Sequence, residues 1–157
     1  MEPLKQWICD ECGDIINKAD EGYLEWTHDE NDLRYRFRIV HHKLYSPNGP
    51  EGSCYYNNGD YHPRLDLELS RFVGTGGIIK MLSFIDVGQY HKPEYGGHRV
   101  KDLREWVEIF RRMQLPYYEE ARFFWTDAEG NGEFDGINEM LIYSPDTLKD
   151  IVEEYGK

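Results

Sequence analysis

The chain of 157 residues holds only three cysteines, Cys9, Cys12 and Cys54. An odd and small number that includes a C-x-x-C pair fits metal binding in a reducing compartment better than a disulfide framework. No run reaches the roughly eighteen apolar residues that a membrane-spanning helix needs, and Met1-Glu-Pro-Leu-Lys-Gln does not read as a signal peptide. The expectation is a soluble, cytoplasmic protein with no membrane partner. Basic residues are also scarce: 18 Lys and Arg stand against 30 Asp and Glu, a net charge of −12. A field of that sign repels phosphate chains, so a nucleic-acid partner is not expected. No G-x-S-x-G, H-E-x-x-H or paired-carboxylate signature occurs, so no reaction is assigned. Internal repeats and low-complexity tracts are absent too.

What is present is a rich supply of aromatics, with 4 Trp, 7 Phe and 12 Tyr, which argues against disorder. The chemistry sits in Trp7-Ile-Cys-Asp-Glu-Cys-Gly13, followed by Val40-His41-His42 and by Cys54. A C-x-x-C-G turn aims both sulfurs to one side, and a histidine and a third cysteine complete a four-ligand Cys3His set. The candidate ligands are Cys9, Cys12, His41 and Cys54, with His42 as the alternative to His41. His41 is preferred because it shares the core-directed parity of Tyr35, Phe37 and Ile39. A redox pair is the competing reading of C-x-x-C, but such pairs open a helix, whereas this one lies between extended segments.

These residues resemble zinc knuckles and zinc ribbons, in which two strand-turn corners each supply two ligands. Cys9 and Cys12 match the first corner. The second departs from the pattern, because residues 43–53 intervene between histidine and Cys54 as a loop rich in turn formers. The resemblance implies one structural zinc ion, since four protein ligands close the shell and leave no open catalytic position. In the C-terminal half, LPYYEEARFFW and FDGINE resemble small bacterial proteins that carry no assigned activity.

Patterning predicts an α+β protein, with zinc-stapled antiparallel strands over residues 1–73 and about four helices over 74–157. Strands are expected at 7–8, 15–16, 22–27 and 34–41, with another beginning at Cys54, and Leu65, Leu67 and Leu69 alternate. In the 34–41 strand, Arg34, Arg36 and Arg38 are expected to share the solvent face. Ile78, Ile79, Leu82 and Ile85 mark the first helix, which Thr75 would cap. Gly74-Thr-Gly-Gly77 reads as a turn entering it and not as a phosphate loop. Residues 100–113 carry a stripe of Val100, Leu103, Trp106, Val107, Phe110 and Met113, with Arg112 on the solvent side. A third helix is expected over 117–125, an extended piece at 140–143, and a last helix capped by Ser144-Pro-Asp146.

Asp127-Ala-Glu-Gly-Asn-Gly-Glu-Phe-Asp135 looks like an EF-hand loop, but its bidentate glutamate, Glu139, comes one place late and no second loop exists; calcium is not expected. From Tyr118 to Lys157 there are 11 acids and 3 bases, a net of −8. The expected function is a non-enzymatic binding, adaptor or regulatory protein, whose acidic, aromatic surface, including Glu119, Glu120, Glu153 and Glu154, meets another protein with a basic patch. One alternative is a nucleic-acid-associated zinc-ribbon factor using the Arg34/Arg36/Arg38 face. Another is an enzyme with a His/carboxylate site around His91 and His98; His28 and His62 stand alone.

Overall fold

The computed structural model describes residues 1–49, 51–55, 64–88 and 98–156. It is an α+β structure in which antiparallel strands come first and five α-helices follow. β1 (Trp7–Ile8) and β2 (Ile15–Ile16) form a small antiparallel pair. β3 (Gly22–His28), β4 (Arg34–His41) and β5 (Arg64–Glu68) form a sheet of order β4-β3-β5 with both pairings antiparallel. The helices are α1 (Gly74–Ile85), α2 (Leu103–Gln114), α3 (Tyr118–Ala121), α4 (Trp125–Gly130) and α5 (Pro145–Tyr155). No helix among the described residues is long and apolar enough to cross a membrane.

One face of the sheet builds the first core. Leu24 and Trp26 of β3 and Phe37 and Ile39 of β4 point toward α1 and α2, where Phe84 and Trp106 stack with ring centroids 4.6 Å apart. This core draws on residues from both sides of position 73. A second, smaller core gathers Tyr118, Ala121, Ala128, Leu148 and Ile151 from α3, α4 and α5. Ser144 caps α5, its hydroxyl accepting from the Thr147 amide at 3.3 Å, with Pro145 in the first turn.

Several elements differ from the sequence reading. The inward face of α1 is Gly77, Met81 and Phe84, whereas Ile78, Ile79 and Leu82 are exposed. Gly77 sets this rotation: it lies so close to Phe72 that a Cβ there would overlap the Phe72 carbonyl. The Gly74–Gly77 run is therefore the first turn of α1 itself and not a turn entering it, with Gly74 at φ +64 and Gly77 as the close packing point. α2 is turned as well, burying Trp106, Ile109, Arg112 and Met113, and leaving Leu103 exposed. It begins later than expected, because Asp102 caps it and Val100 instead bridges Arg34 as extended backbone. The third helix ends after one turn, Leu141–Tyr143 winds into a 3-10 turn and not an extended piece, and Cys54 and Tyr55 lie in a bend and turn and not a strand.

A bulge changes β4 most. The register with β3 shifts between Glu25 and Thr27, and Arg36 takes φ +54. One extra residue reverses the side-chain parity, so Arg34 crosses to the core side and lies over the Phe84 ring at 4.4 Å. Arg38 keeps the other side and pairs with Glu25 and Glu11. The three arginines thus do not form one solvent-facing stripe.

Candidate metal centre

Each ligand arrives by a different local device. The β1–β2 turn is closed by the Cys9 amide donating to Asp14 O at 2.9 Å and the Gly13 amide donating to Cys9 O at 3.0 Å, with Gly13 at φ +79. That left-handed glycine lets Cys9 and Cys12 present their sulfurs together. His41 ends β4, and its Nε2 lies 3.3 Å from the Ile15 carbonyl. A carbonyl can only accept, so Nε2 carries the proton and Nδ1 is left with its lone pair for a ligand. Cys54 is held by Ser46, whose Oγ accepts from the Cys54 amide at 3.2 Å and lies 3.3 Å from its sulfur.

The four ligand atoms lie within 4.8 Å of one another. His41 Nδ1 is 3.5 Å from Cys12 Sγ and 3.9 Å from Cys54 Sγ. A tetrahedral ion with bonds of about 2.3 Å to sulfur and about 2.0 Å to nitrogen spaces its ligands roughly 3.5–3.8 Å apart. The cluster therefore has the size of a four-coordinate metal shell. Cys9, His41 and Cys54 are buried and Cys12 is partly exposed. Burial pushes the Cys12 thiol up to about 12, and raises Cys54 as well. A metal ion would displace those protons, so binding here releases protons and is favoured as pH rises.

His42, the alternative ligand, is not part of the cluster. Its Nδ1 accepts from the Leu44 amide at 3.1 Å and its ring packs on Tyr23 at 4.7 Å. The remaining candidates fall elsewhere. His98 is exposed, and His28 sits beside Asp29 and Asp32. His62 and His91 lie outside the described residues. In the EF-hand-like stretch, Asp127 and Glu129 belong to helix α4, which winds up the first positions of the would-be loop.

The sequence reading missed the residues that mount the centre. Asp10, between Cys9 and Cys12, accepts from the Ile39 amide at 2.7 Å and from Arg112 Nη1 at 2.8 Å, while its own amide donates to Ile39 O at 2.7 Å. Arg112, expected in solvent, is buried and also grips both oxygens of Glu119, at 2.7 and 3.0 Å. Glu119 in turn accepts from the Ile8 amide at 2.9 Å, and the Trp7 indole donates to Arg112 O at 3.2 Å. Burial lowers the Arg112 pKa, but the Asp10 and Glu119 charges outweigh it and hold the guanidinium firmly protonated. Glu119 and Glu120 are thus buried, contrary to the expectation that they belong to an exposed acidic surface. Acidic residues inside a C-x-x-C turn were the one available signal for the Asp10 contact.

No protein-family model, curated protein or solved structure matches this chain. Among the described residues, Cys9, Cys12, His41 and Cys54 form the single group of His, Cys, Asp and Glu gathered at metal-holding distance.

Proposed function

We propose that this is a zinc-stapled, non-enzymatic binding protein of the cell interior, which engages another protein through an acidic surface. The observation that carries the metal part is the convergence of three sulfurs and His41 Nδ1 within 4.8 Å, with the histidine tautomer fixed by Ile15. Three thiolates and one imidazole suit zinc better than magnesium or calcium, which prefer oxygen. Four protein ligands fill a tetrahedron, so the ion holds structure and activates no water.

The binding part is supported by charge. Glu133, Asp150, Glu153 and Glu154 lie together around a shallow depression beside α5, in the segment of net charge −8. Opposite potential on a partner would speed encounter and be screened by salt over roughly 8 to 10 Å.

Elemental analysis of freshly purified, never-chelated protein should find one zinc per chain; an absence of zinc would overturn the metal assignment. An unbiased pull-down should recover a partner with a basic patch. Charge reversal at Glu153 and Glu154 should then slow association with little change in folding, and unchanged rates would reduce the acidic face to a solubility device.

A further inference from the structure

The side of the sheet facing away from α1 carries a row of rings next to the metal centre. β3 alternates, so while Leu24 and Trp26 enter the core, Tyr23 has the opposite parity and is half-buried, its ring touching the border of that core. His42 packs on one flank of Tyr23 at 4.7 Å and Tyr55 on the other at 5.1 Å, and Tyr45 follows His42 at 5.8 Å. The end of the row is open: Tyr45 is 51% exposed and its neighbour Leu44 80%. The 3-10 turn Lys43–Tyr45 that displays them begins directly after the His41 ligand strand and is tied down by His42.

Carboxylates rim the rings. Glu68 is exposed and stands directly opposite Tyr23 in the β3–β5 register. The Tyr55 hydroxyl donates to Asp66 at 2.7 Å. Burial first, then the charges of Asp66 and Glu68, push the Tyr23 phenol above its ordinary range, so both acids act on that ring. Glu68 also meets Arg71 at 3.6 Å, an exposed pair that solvent screening leaves weak. The negative faces of aromatic rings and adjacent carboxylates attract the same group, a guanidinium or ammonium. The same carboxylates repel a phosphate chain, which disfavours base stacking on these rings.

We propose that the row Tyr45–His42–Tyr23–Tyr55 docks an extended, arginine-bearing segment of another protein, with the guanidinium lying on a tyrosine face and paired to Glu68. This surface is separate from the acidic face beside α5, and it stands whether or not that face binds anything. Planar guanidinium suits it better than ammonium, because it stacks and pairs at once.

The test is an NMR titration of the isotope-labelled full chain, as purified, with the peptide acetyl-Arg-Gly-Arg-Gly-Arg-amide, and in parallel with a ten-residue oligothymidylate. Saturable shifts at Tyr23, Tyr45, Tyr55 and Glu68 are expected with the peptide. Tyr45→Ala, at a solvent-exposed position that leaves the core intact, should weaken binding about two- to five-fold, the range of an exposed cation–π contact. Glu68→Gln should weaken it as well. Shifts confined to Glu133, Asp150, Glu153 and Glu154 would overturn this proposal and leave the acidic-face reading standing. Absence of saturable binding, an unchanged affinity in Tyr45→Ala, or tighter binding of the oligothymidylate at the same residues would each overturn it too.

Discussion

Replacing Arg112 with leucine tests how the metal turn is joined to the helices. The guanidinium is 4% exposed and makes two bonds to Glu119, one to Asp10 and one to the Ile8 carbonyl, the last at 3.1 Å. Breaking a buried ion pair on one side costs about 3–5 kcal/mol when the remaining charge is stranded. Here neither acid is fully stranded. Asp10 keeps the Ile39 amide, Glu119 keeps the Ile8 amide, and Arg122 stays 3.1 Å from Glu119 and 3.7 Å from Asp10. The loss should therefore fall at the lower end, about 3 kcal/mol, read as a lower urea midpoint in tryptophan fluorescence. Adding Glu119→Leu should recover at least about 1 kcal/mol, since it removes the acid with the most to lose. Because Asp10 lies between two metal ligands, linkage requires that a group stabilised by the folded turn also stabilises the bound metal. The single variant should accordingly lose zinc to a chromophoric chelator more readily than the parent. A loss below about 1 kcal/mol, together with unchanged zinc competition, would refute the coupling.

Three other outcomes follow from the packing. Among the described residues neither carboxylate oxygen of the buried Glu120 has a hydrogen-bond partner, and burial raises its pKa. Its contribution to stability therefore falls as pH rises from the unfolded value of 4.5 through the raised folded value; Glu120→Gln should stabilise by about 1 kcal/mol at pH 7 and lose that advantage near pH 4, as urea melts at the two pH values would show. Gly77→Ala should destabilise by about 2–3 kcal/mol or misfold α1, because the added methyl meets Phe72 backbone and not a movable side chain; calorimetry checks it. Millimolar calcium after chelator treatment should leave the melting temperature unchanged, and an upward shift abolished by Asp127→Ala would refute the helical reading of that stretch.

What could be read from the sequence was local. The ligand set Cys9, Cys12, His41 and Cys54 follows from spacing and strand parity, and the structure brings those four together. β1, β2 and β4 have the expected bounds, and the Ser144 cap is present. What escaped were the choices made by packing. The 3.6-residue period announces a helix but not which flank of a broad apolar face is buried; the close approach at Gly77 and the Phe84–Trp106 stack decide that for α1. A bulge at Arg36 breaks an alternation that looks perfect on paper, because nothing in Arg-Tyr-Arg-Phe-Arg advertises the extra residue. Helical pairing with Glu108 puts Arg112 on the solvent side, and its burial becomes tolerable only through Glu119 beyond the end of α2 and Asp10, 102 residues away.

The outer border of β4 has its own consequence. An unpaired strand border is a template on which other chains assemble. Along β4, however, the outward backbone groups of Arg34 and Ile39 and the Phe37 amide are already paired. The Arg34 amide donates to Arg99 O at 2.7 Å and its carbonyl accepts from Lys101 at 2.8 Å. Glu105 takes the Phe37 amide at 2.6 Å, and Asp10 closes Ile39 with its amide and its carboxylate. The strand Arg-Tyr-Arg-Phe-Arg-Ile-Val-His, the most β-prone segment of the chain, is guarded against self-association at Arg34, Phe37 and Ile39 by two acidic side chains and two stretches of irregular backbone. Neutralising Asp10 or Glu105 would thus do more than lower stability: it would uncover a sticky border, and the damage would grow with protein concentration.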